Sequence, residues 1–245
     1  MPVLSSPEGE SVGRAVPARG FAQANALVRP RRVLVANGKG GCGKTTLAIN
    51  IAGWFAASGR TTALLDYDPQ GSSLQWLSQR KGGATIHGVA AARRASAAVT
   101  RTFLLRLPTG TERVVLDAPA GIRGVELVEM VREVDTIIIP VLPSPIDMHA
   151  AAKFIEELLL VGKVRQRSVR VGVVANRVGA NAPMYESLER FLRSLSIPFV
   201  AKLQESGAYL EAAGGGLSLS EMSDVPAEDL YQWDALMRWI EEKSP

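Results

Sequence analysis

Ten residues carry the chemistry most directly readable from the chain: Asn37 to Thr46, NGKGGCGKTT. Gly38-x-x-x-x-Gly43-Lys44-Thr45 is the full phosphate-loop pattern, and it stands between an apolar run (Val33, Leu34, Val35, Ala36) and a run of helical period. In that context the small residues let the backbone N–H groups of Gly40, Gly41, Cys42, Gly43, Lys44, Thr45 and Thr46 turn inward around phosphates. The following helix adds the positive end of its dipole. Lys44 is then placed between the β- and γ-phosphates, and the Thr45 hydroxyl is a ligand for Mg²⁺.

Two further stretches end in acid. Thr61 to Asp66 (TTALLD) runs into Tyr67-Asp68-Pro69-Gln70-Gly71, and Arg113 to Asp117 (RVVLD) runs into Ala118-Pro119-Ala120-Gly121-Ile122. Apolar runs of this kind read as strands buried on both faces, and in open α/β sheets the chemistry gathers at their carboxyl ends. Asp117 takes the position that holds Mg²⁺ through an ordered water. Gly121 sits in a loop able to offer a backbone N–H to the γ-phosphate and to move when that phosphate leaves.

The elements that must position these groups alternate along the chain. Leu47, Ala48, Ile51, Ala52, Phe55 and Ala56 recur at helical spacing until Ser58-Gly59. Weaker signals predict a helix around Leu74 to Gln79, a short strand near Ala84 to Gly88 and an Ala/Arg-rich helix toward Leu107. Thr136 to Leu142 and Val169 to Asn176 read as buried strands, with a helix between them that Asp147 caps. The helix Met184 to Leu195, the strand Pro198 to Ala201 and the break at Gly214-Gly215-Gly216 precede a last helix, Ala227 to Glu242. That helix puts Leu230, Trp233, Met237 and Ile240 on one face. The fold class that follows is a single-domain α/β nucleoside-triphosphatase: a mostly parallel, twisted sheet with helices on both faces and nucleotide at its carboxyl edge.

Lys39 narrows the type. It stands directly after the first glycine of the loop, too early to serve its own γ-phosphate comfortably. The stretch resembles the deviant phosphate loop KGGxGKT of the ParA/MinD ATPases, in which this lysine crosses a two-fold axis to the partner subunit's nucleotide. The resemblance implies a homodimer when ATP is bound, with Lys39 neutralising charge on the transferred phosphoryl group. A solvated loop lysine is the plain alternative. LLDYDPQGSS is similar to the ParA-type LLDxDPQG motif, which implies that Asp68 orients or deprotonates the attacking water; Asp66, at the strand end, would help hold Mg²⁺ through water. The family also implies that Asn176 reads the adenine edge, with Arg177 nearby; the plain alternative is a turn-forming asparagine. DAPAGI looks closer to MinD and its flagellar relatives, whereas DPQG looks ParA-like.

Composition narrows the partners. The chain has 245 residues, 47% hydrophobic and 21% charged, with formal net charge +4, which suits one soluble domain and permits a nucleic-acid surface. No apolar run reaches bilayer length and no secretory signal is visible, so a cytoplasmic location, nucleoid-associated by family resemblance, is expected. Cys42 is the only cysteine, which excludes a disulfide framework and the two-cysteine cluster of the iron-protein reductases; it reads as a tolerated small residue, or else as a redox-sensitive thiol beside the phosphates. Residues 1 to 31 read as a disordered or loosely attached leader, with the ATPase domain over 32 to 245. The last helix has a net acidic outer face, unlike the basic amphipathic helix by which MinD-type proteins lie on lipid, so a membrane partner is not expected.

Basic residues at Lys163, Arg165, Arg167 and Arg170, and at Arg190, Arg193 and Lys202, predict sequence-independent contacts to DNA phosphates, although such runs are often solvated faces. Together these features resemble small ParA-type partition and positioning ATPases, carboxysome-positioning members among them. The implied activity is an ATP-driven dimerisation switch on nonspecific double-stranded DNA. Its weak hydrolysis would be stimulated by a ParB-like or cargo-adaptor protein. The rival readings are a MinD-like membrane-surface ATPase and a metabolic ATP-dependent enzyme of the same superfamily.

Overall fold

The computed structural model describes residues 29–92, 107–160, 168–179 and 197–242, together with single positions 164, 186, 189, 190, 192 and 193. Seven strands form one sheet: β1 (Arg31–Val35), β2 (Thr62–Asp66), β3 (Ile86–Ala90), β4 (Arg113–Asp117), β5 (Thr136–Val141), β6 (Arg170–Val178) and β7 (Phe199–Gln204). Their order is β3-β2-β4-β1-β5-β6-β7, and every neighbouring pair is parallel. Both faces are covered. Because side chains alternate along a strand, Val33 and Val35 of β1 face one core and Leu34 with Ala36 the other. The first core is closed by α1 (Lys44–Ala57), α2 (Ser72–Gln79), α5 (Ala208–Gly214), a 3₁₀ turn (Leu219–Glu221) and α6 (Ala227–Glu241). The second is closed by α3 (Gly124–Val131) and α4 (Pro145–Leu160).

The strands match their predicted positions within about two residues at most ends. β1 begins at Arg31, the last residue assigned to the leader, while residues 1–28 lie outside the described ones. So do 93–106, which hold most of the expected Ala/Arg-rich helix, and much of the expected helix Met184 to Leu195. Helices α3 and α5 were not expected: at eight and seven residues they are too short to show a period over a reading window. Helix α4 is capped by Ser144, whose Oγ accepts the Asp147 N–H at 3.1 Å, not by Asp147 itself. Asp147 is the third residue of that helix and accepts the Ser144 hydroxyl in return.

Two ion-pair groups tie the helices to their neighbours. At the carboxyl end of α6, Arg31 donates to the Glu241 carbonyl at 2.7 Å and to that of Glu242, Arg170 donates to the Glu242 carbonyl at 2.8 Å, and Arg113 grips the Glu241 carboxylate at 2.7 and 2.9 Å. Cations here also complement the negative end of the helix dipole. The second group joins α2 to the 3₁₀ turn. Arg80 holds Glu221 at 2.6 and 2.9 Å with both side chains under 10% exposed, and Glu221 also accepts from the Ala84 and Ser218 N–H groups. Burial raises the Glu221 pKa, but Arg80 and these donors outweigh it and hold the carboxyl below its ordinary range.

Removing one partner of a buried pair strands the other. Arg80→Ala should therefore lower stability by roughly 3–5 kcal/mol in urea or thermal unfolding, and Arg80→Lys should restore only part of it, since an ammonium cannot make the forked contact. A parent-like melt for Arg80→Ala would show that the pair contributes nothing.

Candidate functional site

The site lies at the carboxyl ends of β1, β2 and β4. Parallel register sets Val35 beside Asp117 and Asp66 beside Asp117, so the loop after β1 and both acid-ended strands meet there. Gly43 carries φ 94° and caps α1 with no side-chain partner, which leaves the first-turn N–H groups of α1 without a side-chain cap and no acid in that turn to compete with an anion. Lys44, only 7% exposed, folds back over the loop and donates to the Lys39 carbonyl at 3.0 Å.

Asp117 is the most strained electrostatic element. Its carboxylate is buried and neither oxygen has a hydrogen-bond partner. Burial, chiefly, pushes its pKa up to about 7, with Asp66 and Asp68 adding repulsion, while the Thr45 hydroxyl and Lys44 pull in the other direction. An orphaned carboxylate beside a threonine hydroxyl at the mouth of a phosphate loop suits a divalent cation. Among the described residues no three His, Cys, Asp or Glu form a protein-only metal cage. Mg²⁺ keeps waters and shares phosphate oxygens, so a hydroxyl and one carboxylate are enough protein ligands for it.

Asp66, expected to help hold Mg²⁺ through water, also serves the backbone beside it. Its Oδ1 accepts the Asp68 N–H at 3.0 Å, and its Oδ2 accepts those of Ser73 and Leu74, each at 3.1 Å. Gly71 precedes α2 with φ 65° and no side chain, so Asp66 caps that helix from the strand end. Asp68 is half-exposed; its Oδ1 accepts the Gln70 N–H at 2.9 Å, and its Oδ2 lies 3.4 Å from the Ala120 N–H, facing the loop after β4. A carboxylate so placed can hold a water. Gly121, with φ 74°, donates its N–H to the Gly38 carbonyl at 3.1 Å and not toward a phosphate, so that N–H is available to a nucleotide only if this contact opens.

Lys39 pairs with Asp147 at 2.5 Å, its side chain one-third exposed. Burial raises the Asp147 pKa, yet Lys39 and Ser144 hold that carboxyl below its ordinary range. Cys42 is buried and donates its thiol to the Lys39 carbonyl at 3.3 Å; desolvation raises its pKa, which makes it an inert packing residue. Asn176, expected at the adenine edge, is buried and donates its amide to the Cys42 carbonyl at 2.9 Å. Arg177 is exposed at φ 53° where the chain turns out of β6. Sequence reasoning missed Asn37. Its amide donates to the Pro140 carbonyl at 2.8 Å, and its Oδ1 accepts the Lys39 N–H at 3.1 Å. The signal was an asparagine between a buried strand and the loop's first glycine.

The expected DNA residues divide. Arg170 is withdrawn: it stacks on Trp239 at 4.1 Å and holds the α6 carboxyl end. Arg165 and Arg167, with Lys163, lie outside the described residues. Arg193 is exposed and paired with Glu189 at 2.8 Å, Arg190 donates to the Glu186 carbonyl at 3.3 Å, and Lys202 is exposed beside Phe199.

A nucleotide-phosphate cradle at the edge of a parallel sheet, with an acidic Mg²⁺-suited pocket beside it, defines a phosphate-loop ATPase. The family model described as the CobQ/CobB/MinD/ParA nucleotide-binding domain matches residues 33–219, and the chain belongs to that family. It is 32% identical over 191 residues to the maintenance of carboxysome distribution protein A of Gloeobacter kilaueensis, covering 78% of this chain and 84% of the relative. The protein of the same name from Halothiobacillus neapolitanus is 29% identical, with 77% and 86% covered. Among solved structures, the MinC:MinD cell division complex of Aquifex aeolicus aligns over 88% of this chain and 97% of its own with a TM-score of 0.65 at 18% identity, a likeness of fold.

The Asp117 shift carries a pH prediction. Its folded pKa lies above the unfolded value, so between about pH 4 and pH 7 the folded chain retains a proton that the unfolded chain has lost, and stability falls as pH rises through that window. Without metal or nucleotide, Asp117→Asn should abolish that part of the slope, gaining on the order of 3–4 kcal/mol over the parent at pH 8. Urea melts at pH 5 and pH 8 check this; an unchanged slope in the variant would place the titration elsewhere.

Proposed function

We propose that the protein is an ATP-dependent dimerisation switch that binds nonspecific DNA in its ATP state and positions a large cargo through partner-stimulated hydrolysis. The observation that carries this reading is Lys39. Its ammonium leaves the mouth of the loop toward Asp147 and the outside, while Lys44 alone fills the cradle. A cation so placed is suited to a second protomer's phosphates, where it would offset charge in the transition state. In this reading Mg²⁺ is held by Thr45 and Asp117, with Asp66 helping through water, and Asp68 holds the attacking water. The names of the two curated relatives support a protein assembly of carboxysome type as cargo, and an adaptor on that cargo as the stimulating partner.

Cytoplasmic, nucleoid-bound action fits this role. Among the described residues no helix is long and apolar enough to cross a membrane. The α6 face that a lipid-binding helix would need is spent on the core through Trp233, Leu236, Met237 and Ile240, and its carboxyl end is clamped by three arginines; both features favour DNA over lipid as the surface. For the DNA contact, Arg190, Arg193 and Lys202 remain, partly offset by Glu186 and Glu189.

Lys39→Ala should bind ATP within about threefold of the parent yet stay monomeric in sizing runs with a slowly hydrolysed analogue. It should also lose ATP-dependent retention on random-sequence DNA. The parent should dimerise and bind DNA only with the analogue, log K falling with log salt at a slope near −5 if each protomer neutralises about three phosphates. A normal dimer from Lys39→Ala, or parent binding to DNA that ignores nucleotide, would contradict the proposal.

A further inference from the structure

We propose that Asn37 is a positioning residue for Lys39, aiming that side chain at a second protomer by fixing the backbone from which it leaves. The reason lies where β1 stops. The Ala36 N–H donates to the Ile138 carbonyl at 3.0 Å, and the paired register of β1 with β5 ends at Ile138. Carbonyls two residues apart on a strand point the same way, so the Pro140 carbonyl faces the line along which β1 would have continued. Gly38 would have supplied the next rung. Instead the Asn37 amide, 1% exposed, donates to the Pro140 carbonyl at 2.8 Å. The side chain replaces the missing backbone donor, and the main chain leaves the sheet without stranding a buried acceptor.

The other half of the same amide acts on the loop. Its Oδ1 accepts the Lys39 N–H at 3.1 Å, closing an Asx turn. One buried group therefore ties residue 39 to the sheet, and the Lys39 ammonium emerges at Asp147, 2.5 Å away, at the mouth of the loop. A long side chain that must reach a neighbour's phosphate loses less freedom on binding when its root is already held.

Nucleotide removes other contacts on this stretch. The Gly121 N–H sits on the Gly38 carbonyl at 3.1 Å, and the Lys44 ammonium on the Lys39 carbonyl at 3.0 Å. In the proposed dimer switch, on which this inference rests, both donors turn to phosphate when ATP binds. The Cys42 thiol, a weak donor, stays on the Lys39 carbonyl at 3.3 Å. Asn37 stays as well, because its partners are the Pro140 carbonyl and the Lys39 N–H, and neither is assigned to phosphate.

Asn37→Ala removes both contacts, while Asn37→Ser keeps a shorter acceptor for the Lys39 N–H and gives up Pro140. The full chain is used at a temperature where the melt of each variant shows it folded. Two constants are read: ATP affinity at a protein concentration too low for dimers, and the dissociation constant of the dimer formed with a slowly hydrolysed ATP analogue, by sedimentation. Lys39→Ala is run beside them.

Loss of the two buried hydrogen bonds predicts that in Asn37→Ala the dimer constant weakens about tenfold more than the ATP constant, with Asn37→Ser between Ala and the parent. Equal weakening of both constants, or a lowered melting temperature with parent values for both, marks a residue that serves the loop or the fold as a whole and overturns the inference. If Asn37→Ala dimerises like the parent while Lys39→Ala stays monomeric, this inference falls and the dimer reading stands. If Lys39→Ala dimerises like the parent, both fall.

Discussion

A cradle for phosphate is made of N–H groups that the fold must leave without internal partners until the ligand arrives. Such a loop cannot hold itself in shape by its own hydrogen bonds, because those donors are the ones withheld. Its conformation has to be fixed from outside by contacts to its carbonyls and termini, and most of the architecture around the site answers to that requirement. Asn37 grips the entrance, Asn176 grips the Cys42 carbonyl, the Cys42 thiol and Lys44 ammonium converge on the Lys39 carbonyl, and Gly121 closes on Gly38.

The acids obey a related economy. Three carboxylates face one small region, and their mutual repulsion would be severe if all were free. Asp66 accepts three backbone N–H groups and caps a helix, Asp68 is half-exposed at a turn, and Asp117 alone is left buried and unpaired. The unpaired one carries the raised pKa, which is the electrostatic signature of a site built for a cation. Asp66 caps the start of α2, and Arg80, the residue directly after that helix, forms the buried pair with Glu221 at its other end.

Much of this was legible in the residues. The loop, the acid-ended strands and the parallel sheet follow from local patterns, because buried parallel strands and glycine-rich turns declare themselves within a few residues. What was not legible depends on side-chain direction across distant elements. Asp66 and Asp68 are both acids beside the loop, and only the geometry of α2 shows that one of them also caps a helix. Asn176 and Arg170 were read by type and position; the first faces the loop and the second a tryptophan on α6, contacts made over 134 and about 70 residues of chain. Short helices such as α3 and α5 escaped because fewer than three turns show no usable period.

Crystal structures of the nucleotide-free protein and of its ADP complex test the central claim, that the loop is held in binding form before the ligand arrives. The account predicts that backbone atoms of residues 37–46 superpose within about 1 Å between the two, with the Asn176 amide on the Cys42 carbonyl in both. A loop that collapses without nucleotide, its N–H groups satisfied internally and that contact absent, would contradict it.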